Sequence, residues 1–560
     1  MFIPATIDEC KKLNWTSLDI ILITGDCYID NAYTGVAIIG KYLIQHGYKV
    51  GIISQPALNT SKDILRLGLP NLFWGITAGA MDSMVSNYTA LKKKRKSDDL
   101  TPNKINNKRP DRATIRYTNL VKQYSKNNPN SKTIPIIIGG IEASLRRLSH
   151  YDYWDDSVRR SILLDSKADV LVYGEGERTI LELANAYKNQ QNIKNIRGIC
   201  YTTNSIDDKI DYITLPTYKE VVNAKMKFKE MFDIFYQNND PINASGLIQK
   251  FENKYVIQNP PNYYLEGKEL DLVYDLKYEN DVHPIHKKEG KVIGLETTKN
   301  SIITHRGCFG ECNFCAIAIH QGRKVRSRSK ESITKEVIKL VSNKYFKGNI
   351  NDLGGPTSNM YMMECEKQNK IGSCKNKRCL FPVPCKSMDI SHFDYFNLIK
   401  EIKKIDKIKN VFINSGFRYD LIQYDKNGKV FLEYVVKHCT SGQMKIAPEH
   451  TEKNVLNAMA KPQADLLQFA NDFYAITKKA GKKQFLTYYL IAAHPICSER
   501  EMQNMKSFFS KKLKIIPEQI QIFTPTPSTY STMMYYCELD YKDSNKIFVE
   551  KSLKKKKIQK

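Results

Sequence analysis

The sequence predicts a two-part α/β chain, with an N-terminal doubly wound parallel sheet followed by a partial (β/α)6 TIM-type barrel. Three observations predict it. Continuous apolar strands alternate with helical patterns between residues 15 and 190, which implies a parallel sheet covered on both faces. A second strand-helix series runs from Asn300 to about residue 535. In both series glycines or cysteines follow the strands, and the carboxyl ends of strands are where such sheets hold ligands. The length of 560 residues fits roughly two to four domains, and an apolar content of 42% fits a globular chain.

In the first part, residues 19–24 read as a strand and residues 33–46 as an amphipathic helix ended by Gly47. Residues 48–53 read as a second strand, closed by Gln55-Pro56, and residues 134–140 and 169–177 as strands running into glycines. Residues 191–297 form a connector, with a strand pattern at 197–202 and a break at Pro260-Pro261-Asn262. From residue 298 to 535 the strand candidates are 301–304, 349–353, 410–414, 443–447, 485–491 and 519–524, with helical stretches such as 330–342 between them. A cysteine-rich insertion spans 356–391, and 536–560 is a basic C-terminal tail.

No apolar run approaches the roughly 18 residues of a membrane helix, and residues 1–15 lack a basic segment followed by an apolar one. A cytoplasmic protein without a membrane partner is expected. There, thirteen cysteines do not form a disulfide framework, and the seven between Cys308 and Cys385 point to metal. The formal charge of +27 invites RNA as a partner. Lysine far exceeds arginine, however, in company with much Asn, Ile and Tyr, the composition of an AT-rich genome. The densest runs, 92–96 and 554–557, read as a solvated loop and a frayed tail. Arg109, Arg112, Arg146, Arg147, Arg159 and Arg160 lie among aromatic residues, a pattern that suits either a planar anion or nucleobase, or interdomain ion pairs.

The most informative residues are Cys308-Phe309-Gly310-Glu311-Cys312-Asn313-Phe314-Cys315. Three thiolates at x3 and x2 spacing seat on three corners of one 4Fe-4S cube and leave the fourth iron open to bind and activate a small molecule. The competing readings are zinc, with His305 or His320 as a fourth ligand, or three buried thiols. Cys365, Cys374, Cys379 and Cys385 follow at x8, x4 and x5 spacing in a segment rich in Gly, Pro, Lys and Asn. That segment has little core of its own, so a second iron-sulfur cluster or a structural zinc would hold it together.

The three-cysteine motif, with an aromatic before the last cysteine, resembles the signature of the radical S-adenosylmethionine (SAM) superfamily. The glycine turns around Gly139-Gly140 and Gly174 to Glu177 resemble the cobalamin-binding-like domain that precedes the barrel in one branch of it. The segments Gly139 to Arg147, His150 to Trp154, Arg306 to Gly310, Ser327-Arg328-Ser329, Gly354-Gly355-Pro356-Thr357 and Ile446 to His450 together resemble the YgiQ family. That resemblance implies a 4Fe-4S cluster on Cys308, Cys312 and Cys315, with SAM chelated by the open iron. It also implies Gly354 and Gly355 as carbonyl donors to the SAM ammonium, with Ser415 and Arg418 at its carboxylate or ribose. Pro356 stands where many members carry glutamate. The cobalt-ligating pattern D-x-H-x-x-G is absent, since the chain reads Gly25-Asp26-Cys27-Tyr28-Ile29-Asp30-Asn31. Cobalamin is therefore not expected.

The expected function is a radical SAM enzyme that cleaves SAM reductively and abstracts hydrogen from an unknown substrate, with a cellular one-electron reductant as partner. No catalytic residue is assigned by the sequence. The alternative is a non-catalytic, metal-stabilised RNA-binding protein, for which salt-dependent RNA binding and zinc without sulfide would speak.

Overall fold

A computed structural model describes residues 1–125, 134–206 and 211–560. The chain divides into two units, Met1–Leu265 with Leu272–Lys299, and Glu266–Asp271 with Asn300–Lys560.

The first unit is built on a nine-stranded sheet. Its strands are β1 (Leu18–Thr24), β2 (Val50–Ser54), β3 (Pro70–Thr77), β4 (Ile136–Gly139), β5 (Val170–Val172), β6 (Ile199–Thr203), β7 (Ile213–Thr214), β8 (Leu247–Phe251) and β9 (Lys254–Gln258). They lie in the order β7-β8-β9-β6-β5-β4-β3-β1-β2. The five strands from β5 to β2 are parallel. β6 and β9 then join antiparallel. Residues 191–297 are thus not a separate connector. They supply β6 to β9, because the edge of β5 offers unpaired backbone groups that β6 satisfies.

β3 sits between β1 and β4 and escaped the sequence reading, since Pro70 and Asn71 disguise its start. Its Phe73 and Trp74 are buried among the covering helices. The helix Gly35–Gln45 packs so closely on the sheet that a Cβ on Gly40 would lie 3.3 Å from Leu22 Cδ1 of β1.

The second unit is also mixed α/β and mainly parallel. Its strands are β10 (Ser301–Ile303), β11 (Asn349–Ile350), β12 (Asp352–Gly354), β13 (Glu364–Cys365), β14 (Met388–Asp389), β15 (Asn410–Val411), β16 (Gln443–Glu449), β17 (Phe485–Ala492) and β18 (Ile520–Ile522). β10 pairs parallel with β12, β11 with β15, and β16, β17 and β18 form a parallel sheet. The expected strand 349–353 is broken at Asn351, whose N–H donates to Asn300 O at 2.8 Å while its neighbours serve other partners. The core between strands and helices is apolar, with Ile302, Leu353, Val411, Ile413, Ile446 and Tyr488 on the strand side. The helix Lys330–Val341 covers it with Ile333 and Val337, capped by Ser329, whose hydroxyl accepts from Ser332 N.

The expected frayed tail is instead structured. Residues Leu553–Gln559 form a helix, and Lys556 is buried with Nζ 2.8 Å from the Tyr535 hydroxyl and 4.5 Å from its ring centroid. A long aliphatic stem covers apolar surface while the ammonium finds a ring face. No helix among the described residues is long and apolar enough to cross a membrane.

Candidate metal centre

Cys308, Cys312 and Cys315 lie on the loop that follows β10, past a short antiparallel pair of Arg306 with Arg326 and His305 with Ser327. Gly307 opens the loop with φ of 79°, and a Cβ there would lie 2.0 Å from Lys324 O. Only glycine accepts that backbone without displacing its neighbour. The far side is clamped by Asn313, whose N–H donates to Met459 O at 2.9 Å and whose amide donates to Ala458 O at 2.7 Å.

The thiols sit in apolar surroundings and bear on one another. Burial pushes Cys315 up to about 12, with Cys312 and Cys308 adding to it. Burial also raises Cys308, against the pull of Arg418 and of Thr357, whose Oγ1 is 3.4 Å from the sulfur. Among the described residues, no three His, Cys, Asp or Glu side chains converge as tightly as a single metal ion requires. A cube of iron and sulfide holds its thiolates farther apart than one ion does. Three thiols on one loop are the type of ligand that such a cube takes. The zinc reading also loses His305, whose Nδ1 is 2.8 Å from Thr304 Oγ1 and whose Nε2 is 3.0 Å from Thr357 O. Burial holds that ring neutral, with its pKa down to about 4.

Arg418 reaches the cysteine loop from the end of the β15 segment. Its Nη1 donates to Cys312 Sγ at 3.6 Å, and its Nε and Nη2 donate to the Asp420 carboxylate at 3.1 and 2.6 Å. A Cβ on Gly310 would meet Arg418 Nη1 at 2.5 Å, so the loop is glycine where the guanidinium passes. Burial raises Asp420, but Arg418 outweighs it and holds the carboxyl below its usual range.

A second buried pair stands at the end of β16. Lys461 donates to Ala447 O and lies 3.2 Å from Glu449 Oε1. Pro448 has no N–H to give, the β16–β17 register shifts between Ile446 and Glu449, and Glu449 has φ of 66°. The kink turns its carboxylate toward the cysteine loop, where it adds to the upward push on Cys315. The Arg418 guanidinium thus bears on Cys308 and the Glu449 carboxylate on Cys315, each with a buried counterion of its own, as burial demands.

The other expected contacts lie on neighbouring turns. Gly354 ends β12, and its carbonyl accepts Thr304 N at 2.8 Å. A Cβ on Gly355 would strike the His305 ring at 2.6 Å. Ser415 is held by Asp352, which accepts from its hydroxyl and, at 3.1 Å, from its N–H. Sequence reasoning gave no role to Asp352, Asp420 and Lys461, which have no motif around them, and named Thr357 only within the Gly354 to Thr357 segment. Asp420, two residues beyond Arg418, was the one legible signal.

Of the four later cysteines, Cys365 and Cys308 share one buried apolar group with Met360, Met363 and Met388, and Cys379 and Cys385 pack against it. In the first unit, all six guanidiniums of the arginine-aromatic segment have partners within that unit. Arg109 meets Asp26 and Asp98, Arg112 meets Asp152 and Asp155, Arg146 meets Asp82, and Arg159 and Arg160 meet Asp165. Arg147 donates to Gln258 and Asn239 and lies 4.4 Å from the Tyr173 and Phe235 ring centroids. These ion pairs and stacks are internal to the unit, not interdomain.

A sheet-based first unit and a three-cysteine loop at a strand end define a radical SAM protein, and the family described as Radical SAM N-terminal matches residues 2–301. The chain belongs to the UPF0313 family: it is 51% identical over 561 residues to UPF0313 protein FN0734 of Fusobacterium nucleatum subsp. nucleatum, spanning 100% of this chain and 98% of that one. A 4Fe-4S cluster and SAM follow from the family.

The fold is similar to that of the radical SAM methyltransferase TsrM from Kitasatospora setae, solved with cobalamin and a [4Fe-4S] cluster bound. The TM-score is 0.52 at 12% identity, covering 92% of this chain and 77% of that one. It is similar also to the cobalamin-dependent radical SAM enzyme OxsB with aqua-cobalamin bound, with a TM-score of 0.50 at 13% identity, covering 93% of this chain and 56% of that one.

The expectation that cobalamin is absent is corrected by these structures, in which the same fold carries it. The expectation rested on one missing histidine. A large ring is held by a whole crest of strand ends, so a single ligand position does not decide the matter. Here that crest carries Asp26, whose carboxylate accepts from Ala80 N at 2.6 Å and pairs with Arg109.

Proposed function

We propose that this protein is a radical SAM enzyme whose second unit is a partial (β/α)6 barrel, with Cys308, Cys312 and Cys315 as ligands of the 4Fe-4S cluster. The observation that carries the proposal is the loop itself. Three mutually interacting thiols follow a strand, in an apolar setting, with the Arg418 guanidinium donating to one of them. A donor on a cluster sulfur and a low-dielectric shell are the means by which a protein tunes such a centre.

Cys308, Cys312 and Cys315 would hold the cluster, which would supply the one-electron reduction for cleaving SAM and so the means to abstract hydrogen from a substrate. The protein's part is to place and to exclude. The Gly354 carbonyl keeps one lone pair beyond its bond to Thr304, and with the Gly355 carbonyl it accepts from the SAM ammonium. The Ser415 hydroxyl donates its hydrogen bond to Asp352, so its oxygen is left to accept from a ribose hydroxyl. Arg418 sets positive charge beside the thiolates and favours an anionic carboxylate there. The buried methionines and Phe309 keep water from the centre.

The test is anaerobic reconstitution with iron and sulfide, addition of SAM and dithionite, and quantification of 5′-deoxyadenosine. Formation by the wild type and none by Cys312→Ala is expected. Equal formation by both would overturn the ligand assignment.

A further inference from the structure

We propose that Cys365, Cys374, Cys379 and Cys385 hold a second iron-sulfur cluster, closed by four thiolates and docked on the catalytic cysteine loop. This rests on the reading of the second unit as a radical SAM centre, but its ligands are separate.

The backbone returns Cys379 and Cys385 toward Cys365. β13 and β14 pair antiparallel with Cys365 opposite Met388, so the segment between them returns to where it started. Met388 N donates to Cys385 O at 2.9 Å, and Cys385 N donates to Cys379 O at 2.8 Å. Cys379 is half-buried, and the apolar group it packs against also holds Cys365.

The surroundings suit a cluster. Met360, Met363, Met388, Leu380 and Leu421 form the buried wall on which Cys365 sits and Cys379 and Cys385 pack. Between β13 and β14 the segment contains one helix, Glu366–Ile371, of which only Gln368 is buried. Such a segment cannot offset its ordering entropy by burial and needs a cross-link. All of its cysteines are free, so that cross-link is not a disulfide. Structural zinc is usually held by paired C-x2–4-C knuckles. Here only Cys374-x4-Cys379 has such a spacing.

Two arginines join this segment to the catalytic loop. Arg323 Nη1 lies 3.2 Å from Glu311 Oε1 and donates to Cys374 O at 3.5 Å. Arg378 donates to Glu311 O and, at 2.6 Å, to Asn313 Oδ1. Glu311 and Asn313 lie between the ligands of the first cluster, so ordering the insertion orders that loop. With every iron ligated by protein, the second centre exchanges electrons and has no open site for SAM.

The experiment counts iron, sulfide and zinc in three anaerobically reconstituted proteins. Wild type should hold about eight irons per chain, and about four should remain in Cys308→Ala/Cys312→Ala/Cys315→Ala and in Cys379→Ser/Cys385→Ser. After dithionite, the EPR signal of the triple variant should not change on adding SAM, whereas that of the double variant should. A triple variant without iron, or with zinc and no sulfide, overturns the second cluster. A triple variant that keeps all wild-type iron overturns the catalytic assignment instead. If the double variant fails to fold, the triple variant alone still decides, because its four later cysteines are intact.

Discussion

Replacing Arg418 by Gln removes the cation that neutralises Asp420 and the donor that faces Cys312. Arg418 and Asp420 are 6% and 2% exposed, and three hydrogen bonds of 3.2, 3.1 and 2.6 Å join them. Removing one partner of a buried, hydrogen-bonded pair leaves an uncompensated charge at a cost of about 3–5 kcal/mol. For a unit of this size that lowers Tm by roughly 6–15 °C. Lys461 is the next cation near Asp420, but it is engaged with Glu449. The double variant Arg418→Gln/Asp420→Asn replaces the ion pair by neutral groups of similar size, and should recover at least half of the loss because no charge remains stranded. Differential scanning calorimetry of the unreconstituted proteins reads both effects. After reconstitution, the cluster's midpoint potential by EPR should be more negative in both variants than in wild type, since the donor to the sulfur is gone from both. A single variant that melts with the wild type, or a double variant that melts no higher than the single, would refute the argument that this pair is held by mutual neutralisation.

Gly307→Ala should cost about 1–3 kcal/mol from overpacking, with positive φ adding to it, because its Cβ would meet Lys324 O at 2.0 Å. Gly416→Ala, with no atom within 4 Å of its Cβ, should be near neutral in the same melt. Stability should also fall in acid. His305 and His494 are buried and neutral, with pKa values of about 4 and about 3, both set first by burial. An unfolded chain protonates its histidines below about pH 6.5, so the unfolded state gains protons that the folded state refuses. The contribution is complete above pH 6.5 and is lost as pH falls toward 4, by about 3 kcal/mol for each ring. Urea midpoints measured between pH 7 and 4 should decline steeply, and less steeply in His494→Gln.

How much was legible in the sequence follows from how locally each feature is specified. The strands β1, β2, β4 and β5 and the helix Gly35–Gln45 announce themselves because burial on two faces, or on one stripe, imposes a pattern within ten residues. The cysteine loop is legible for the same reason, as its three cysteines lie within eight residues. β3 was missed because its opening Pro70-Asn71 reads as a turn, although sheet pairing on both sides overrides that preference.

By itself, then, the sequence determined the alternation of strands and helices, the three-cysteine loop at a strand end, and the clustering of seven cysteines between Cys308 and Cys385. The tertiary structure decided what surrounds them. Arg418 and Thr357 come to the thiols of Cys312 and Cys308 from turns 106 and 49 residues away in the chain. The arginines of the first unit, which read equally as an anion surface or as ion pairs, are taken up inside it: Arg109, Arg112 and Arg146 by Asp26, Asp152 and Asp82, which lie 83, 40 and 64 residues away, and Arg159 and Arg160 by the nearby Asp165. The physical reason is that a buried charge must be cancelled wherever the fold brings a partner within reach. No periodicity in the chain records where that will be.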